Sequence, residues 1–118
     1  MQRVSVIAIV LLTVSSGCGS GEHFRLEATR SCLHHRGYKT SIQNNWIFKP
    51  SEGSLAVEFG RRYVALNFGK DDSEARRIRA AALHVDAHWP IAARANVAYV
   101  WSVGARGRVG AVVDCLRS

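Results

Sequence analysis

Two histidines, His84 and His88, have the spacing that comes closest to a recognisable kind of chemistry. Residues four positions apart share one face of a helix, and metal-binding histidine pairs use this spacing. A zinc site needs at least one more ligand, and the segment reads H-V-D-A-H, without the glutamate that metalloproteases place beside the first histidine. We therefore expect surface or capping histidines here, with a metal-binding protein or metal-dependent enzyme as the alternative.

Other patterns that would indicate catalysis are absent from the sequence. There is no G-x-S-x-G nucleophile elbow, and the segment G-A-R-G-R-V-G lacks the Lys and the Ser or Thr of a phosphate-binding loop. The adjacent pair His34 and His35 diverges by about 100° on a helix, so these two cannot hold one ion as neighbours. We expect a non-enzymatic protein that needs no cofactor.

The charge of the chain is the stronger functional signal. Its 118 residues include 16 Lys or Arg against 9 Asp or Glu, a formal net charge of +7, and most of the basic residues are arginine. The candidate partner-binding residues are Arg61 and Arg62 at the tip of a predicted hairpin, and Arg76, Arg77 and Arg79 on a predicted helix. The partners we expect are an anionic membrane surface, an envelope polymer or a protein. Nucleic acid is the weaker candidate, because a basic balance alone is poor evidence for it.

The first residues of the chain predict export. A positive charge in residues 1–3, an apolar run over residues 4–14 and small residues before Cys18 have the layout of a secretory signal peptide, and the run is too short to span a membrane. Ser16-Gly17-Cys18 fits a bacterial lipobox, although Ser15 replaces the usual aliphatic residue. We expect a signal peptide over residues 1–17 and a lipid on Cys18 that anchors the protein to the cell membrane. The alternative is a soluble secreted or periplasmic protein.

The three cysteines cannot all pair with one another, and an odd thiol in an oxidising compartment needs an explanation. If Cys18 is acylated or is removed with the signal, Cys32 and Cys115 remain as one disulfide. In the chain-entropy model, closing a loop of this length stabilises the fold by about 4 to 5 kcal/mol.

The mature chain predicts alternating helices and strands in a single domain over residues 23–118, after a short tether over residues 18–22. The predicted elements are a helix over 22–36, a strand over 38–42, a hairpin of 55–59 and 64–68 with Gly60-Arg61 as its turn, a helix that begins at a capping box from Asp71 to Glu74, and a strand over 97–103. Residues 108–116 fit a strand or a helix, and the spacing of Val109, Val112, Val113 and Leu116 favours the helix. We expect an α+β two-layer sandwich, with one mainly antiparallel sheet of about four strands, helices on one face and one disulfide.

Several short motifs suggest a wider relationship: T-R-S-C-L followed by R-G-Y, a central S-E-A-R-R, the strand R-A-N-V-A-Y-V-W and a terminal D-C-L-R. This pattern resembles small exported bacterial α+β proteins whose activity is uncharacterised, over most of residues 29–117. The resemblance implies the fold and the disulfide but brings no activity. Besides a tethered binding module, it leaves open a structural subunit of an envelope complex.

Overall fold

The computed structural model describes residues 22–44 and 48–118. The predicted signal peptide and Cys18 lie outside the described residues. In chain order the elements are α1 (Leu26–His35), β1 (Lys39–Gln43), β2 (Ser54–Phe59), β3 (Arg62–Phe68), α2 (Asp72–Val85), β4 (Ile91–Arg94), β5 (Val97–Trp101) and α3 (Arg106–Val113). No helix within these two ranges is long and apolar enough to cross a bilayer.

The strands form one fully antiparallel sheet in the order β1-β2-β3-β5-β4, which confirms the α+β class. The sheet has five strands, whereas we expected about four. The additional strand, β4, has only four residues and directly follows Pro90, so its sequence carries little periodic signal. It returns into β5 through a tight turn at Ala95 and Asn96, in which Ala95 adopts a left-handed φ of 51°.

The hairpin of β2 and β3 has the predicted register. Val57 pairs with Val64 and Leu55 pairs with Leu66, so the aliphatic side chains of both strands lie on one face of the sheet. The two-residue turn is also as predicted, and Gly60 takes a left-handed φ of 69° that suits glycine at this position.

The main core lies between that face of the sheet and the helices α1 and α3. Leu33 from α1 and Val112 from α3 are fully buried against the sheet, and residues 106–113 form the helix that the valine spacing favours. The sheet contributes its largest buried side chains to this core: Leu55, Val57, Val64, Leu66, Phe68 and Val97.

Helix α2 packs on the opposite face of the sheet, although we expected every helix on one face. Its buried Ile78 and Ala82 belong to a second, smaller cluster with Ile91, Ala98 and Val100. Strand β5 has apolar residues on both faces, so it needs cover on both sides. Over β4 and β5 the fold therefore has three layers rather than the two that we expected, because helices cover both faces of the sheet.

The predicted disulfide between Cys32 and Cys115 is present. The two cysteines are 83 positions apart in sequence, and their Cα atoms lie 5.5 Å apart. The bond joins α1 to the turn that follows α3, on the face of the sheet that both helices cover.

Candidate anion-binding surface

The turn between β2 and β3 places Arg61 and Arg62 at one end of the sheet. Arg62 lies against the loop that leads into α3, where its Nη1 is 3.5 Å from the carbonyl oxygen of Gly104. The same end is fixed by Tyr63, whose backbone N–H donates to the hydroxyl of Ser102 at 2.9 Å. The hairpin tip and the beginning of α3 are therefore held together.

Helix α3 adds two arginines to this end of the molecule, Arg106 and Arg108. The guanidinium carbon of Arg108 lies 5.0 Å from the centre of the Phe59 ring, and Phe59 is the strand partner of Arg62. We call Arg61, Arg62, Arg106 and Arg108 the basic tip. The sequence predicted the first two of these residues and not the other two, because the segment G-A-R-G-R has no spacing that connects it with the hairpin.

All four arginines of the basic tip are exposed. Within residues 22–44 and 48–118 none of them forms an ion pair, whereas Arg30 lies 3.7 Å from Glu27 and Arg36 lies 3.0 Å from Asp114. A guanidinium that lies over an aromatic ring, as that of Arg108 does, still has N–H groups available to a ligand. The basic tip therefore concentrates positive charge whose donors suit carboxylates and phosphates.

A groove of about 300 Å³ opens beside the basic tip on the face of the sheet that carries α2. Helix α2 packs over β4 and β5, whereas the groove lies over β1, β2 and β3. The floor of the groove is a row of small residues across three strands, in which Ser41 pairs with Ala56 and Ala56 pairs with the equally buried Ala65.

Four further residues form the two sides of this groove. Gln43 and Ser54, which pair across β1 and β2, lie on the side away from the basic tip. Glu58 and Tyr63, which pair across β2 and β3, lie on the side next to it, and Arg61 closes that end. The groove and the basic tip are therefore continuous through Arg61.

The three arginines predicted on α2 are exposed but do not join the basic tip. Helix α2 begins at Asp72, just beyond the end of β3 that is farthest from the hairpin turn. Arg76 and Arg77 follow within its first two turns. The five predicted arginines therefore divide into two groups, one at the hairpin turn and one along α2.

The chain matches no protein-family model, no curated protein and no solved structure. The resemblance to small exported bacterial proteins therefore stays a prediction. The function of this protein must be inferred from its own side chains, above all from the charges that the fold brings together.

Glu74 holds the beginning of α2 against the preceding loop. Asp71 caps the helix as predicted, accepting a hydrogen bond from the Glu74 N–H at 2.8 Å. The Glu74 carboxylate does not return to the Asp71 N–H; it accepts hydrogen bonds from the N–H groups of Lys70 at 2.7 Å and Ser51 at 2.8 Å. Burial by itself would raise the pKa of Glu74, but these hydrogen bonds and the charge of Arg77 outweigh burial, so the pKa lies below its ordinary value of 4.5.

We expect this carboxylate to make stability depend on pH. Because its pKa is lowered in the folded state, Glu74 contributes its full stabilisation above the ordinary value and loses it as the pH falls through the folded-state pKa. The substitution Glu74→Gln should cost about 2 kcal/mol at pH 7, and the difference from wild type should shrink as the pH falls below the ordinary value of 4.5. Urea unfolding of both proteins across this range measures the effect; a cost that does not change with pH would contradict it.

The histidine pair does not have the helical geometry that its spacing allows. Helix α2 ends at Val85, so His88 lies beyond the helix, where its N–H donates to the carboxylate of Asp86 at 2.9 Å. His88 is almost fully exposed. Within residues 22–44 and 48–118 there is no cluster of three or more His, Cys, Asp or Glu side chains able to hold a metal ion.

Proposed function

We propose that this protein is a non-enzymatic binding module, held at the outer side of the cytoplasmic membrane by a lipid on Cys18, that recognises an anionic envelope partner. The observation that carries the proposal is the basic tip. Two elements that are distant in sequence bring four exposed arginines together, and none of these arginines is neutralised by an ion pair with a described residue.

The chemistry of arginine supports an anionic partner. A guanidinium is always charged and presents its N–H donors in a planar arrangement that matches carboxylate and phosphate oxygens. Each such group near an anionic surface contributes about 1 kcal/mol of attraction. Because the hairpin turn and the beginning of α3 are hydrogen-bonded to each other, the charges are positioned before binding, which lowers the entropic cost of association.

The proposed location is supported by the cysteines and the beginning of the sequence. Disulfides persist in oxidising compartments outside the cytoplasm, and Cys32 and Cys115 form one. The remaining cysteine, Cys18, follows an apolar run and small residues of the kind that lipoprotein signals use. A lipid on Cys18 also explains why the chain has an odd number of cysteines.

Charge reversal at the basic tip should abolish most of the binding to polyanions. We expect the combined substitution Arg61→Glu, Arg62→Glu and Arg106→Glu to weaken binding to anionic vesicles and to inorganic polyphosphate about a hundredfold at low salt, since three favourable contacts are lost. Arg108 is left in place because it packs on Phe59. Co-sedimentation and fluorescence titration measure the change, and circular dichroism checks the fold.

The combined substitution Arg76→Glu, Arg77→Glu and Arg79→Glu is the matched control, because it changes the net charge by the same amount. We expect this variant to lose less binding than the first one. Salt should screen the contribution of the α2 arginines, as it does for any exposed charge. If only this second variant loses binding, the α2 arginines form the site. If neither variant differs from wild type at low salt, the protein is not an anion-binding module.

A further inference from the structure

We infer that the groove beside the basic tip binds an acidic saccharide, with the sugar ring on the floor formed by Ala56 and Ala65 and the acidic group directed toward Arg61. This inference rests on the proposed function, because it assigns a chemical class to the anionic partner. The features that carry it are the shape of the groove, the hydrogen-bonding capacity of its sides and its continuity with positive charge.

The floor suits a flat ring. Ser41, Ala56 and Ala65 lie side by side across three strands, and none of them extends more than two heavy atoms beyond Cα. Tyr63 borders this row and is 38% exposed, so part of its ring is available to a ligand. An aromatic face beside a shallow floor provides apolar contact for the C–H groups of a sugar ring.

The sides of the groove carry hydrogen-bond acceptors. The Gln43 amide nitrogen donates to the hydroxyl of Ser41 at 3.1 Å, which leaves the amide oxygen of Gln43 to accept. Ser54 donates its hydroxyl proton to Asn67 at 2.8 Å, so its buried oxygen keeps only the capacity to accept. Glu58 makes no ion pair with any described residue. A ligand rich in hydroxyl donors, as a saccharide is, complements such sides.

The positive charge at the end of the groove favours an acidic ligand. Arg61 lines this end, and Arg62 next to it belongs to both the groove and the basic tip. A neutral sugar on the floor would leave the Arg61 guanidinium unused, whereas a carboxylate or phosphate substituent would meet it. The volume of about 300 Å³ is at the lower limit of small-molecule sites and accommodates a single substituted ring.

The first test compares two sugars that differ by one acidic substituent, N-acetylmuramic acid and N-acetylglucosamine. Chemical-shift titration of the full mature chain should show binding of both sugars, with the acid binding about fivefold more tightly. The substitution Arg61→Gln should remove this preference while the affinity for the neutral sugar stays the same. Binding of neither sugar, or a preference that survives Arg61→Gln, would overturn the inference.

The second test fills the floor without changing any charge. Ala56→Leu should weaken binding of N-acetylmuramic acid at least tenfold and leave polyphosphate binding unchanged; Ala80→Leu, on the exposed side of α2, is the control. If Ala56→Leu does not fold, Tyr63→Ala at the margin of the groove should give a loss in the same direction. Polyphosphate binding that depends on the basic tip, without any sugar binding, would refute this inference and leave the proposed function intact. If the wild-type protein binds neither polyphosphate nor sugar, both the proposed function and this inference are refuted.

Discussion

Replacing Cys32 with serine should lower the melting temperature by about 20 to 30 °C under oxidising conditions. The bond between Cys32 and Cys115 closes a loop of 83 positions, and removing such a constraint stabilises the unfolded chain by about 4 to 5 kcal/mol. For a domain of about a hundred residues, each kcal/mol changes the melting temperature by about 4 to 8 °C. Differential scanning calorimetry with and without reductant measures the effect.

The variant should still fold, because the disulfide is one of four contacts between α1 and the last residues of the chain. The N–H of Arg25 donates to the carbonyl of Arg117 at 2.7 Å, and the N–H of Arg117 donates to the buried hydroxyl of Thr29 at 3.1 Å. Arg36 pairs with Asp114 at 3.0 Å. Positions 25, 29, 32 and 36 fall on one face of α1 and of the two residues that flank it, so the disulfide reinforces an interface that already exists.

Reductant provides the control for this prediction. In reductant the wild-type protein and Cys32→Ser should have nearly the same melting temperature, because both proteins then lack the bond. The difference in melting temperature between wild type and variant could also be the same with and without reductant. In that case the loss of stability comes from packing at Cys32 rather than from the bond. The substitution Ser31→Ala, at an exposed neighbour on α1, should change the melting temperature little.

Local sequence was sufficient to predict the hairpin of β2 and β3. A two-residue turn places Val57 opposite Val64, whereas a three-residue loop would place Val57 opposite Ala65 and put the aliphatic residues of the two strands on different faces. Residues 106–113 form the helix that the spacing of Val109, Val112 and Val113 favoured, although the alternation of residues in this segment also fitted a strand. In both cases the signal lies in residues that are close in sequence.

The position of α2 depended on information that is not local. Two of its four buried residues are alanines, Ala75 and Ala82, which pack as well on one face of the sheet as on the other. The side is decided by β4 and β5, which expose Ala98, Val100 and Ile91 there. Because β4 is too short to be recognised, the second apolar face of the sheet could not be mapped, and neither could the groove that α2 leaves open.

The basic tip also depends partly on local sequence and partly on contacts between distant segments. Arg61 and Arg62 are adjacent at a predictable turn, so their exposure followed from the hairpin. Their proximity to α3 depends on contacts between residues about forty positions apart, such as Arg62 with Gly104 and Tyr63 with Ser102. No spacing rule connects such segments in a single sequence.

Asn96 is the second position where we expect a large effect, and the reason is a hydrogen-bond network that joins three segments. Its side-chain oxygen accepts a hydrogen bond from the Phe24 N–H at 2.7 Å, and its amide nitrogen donates to the carbonyls of Phe24 at 3.0 Å and Gly69 at 2.8 Å. The side chain is fully buried, so these partners have no access to water in its place. Asn96 therefore attaches the segment before α1 to the β4–β5 turn and to the end of β3.

The substitution Asn96→Ala should cost about 3 kcal/mol, because three buried hydrogen bonds are lost and their partners remain unpaired. Asn96→Asp tests the roles of the individual atoms: it keeps an acceptor for Phe24 N–H but places negative charge against two carbonyl oxygens, so it should be at least as destabilising at pH 7. Protonation at low pH restores one donor, and the cost of Asn96→Asp should then decrease. Asn44→Ala, at an exposed asparagine, is the control and should cost less than about 0.5 kcal/mol. Equal stabilities of Asn96→Ala and wild type in urea unfolding would mean that Phe24 is held by its apolar packing alone.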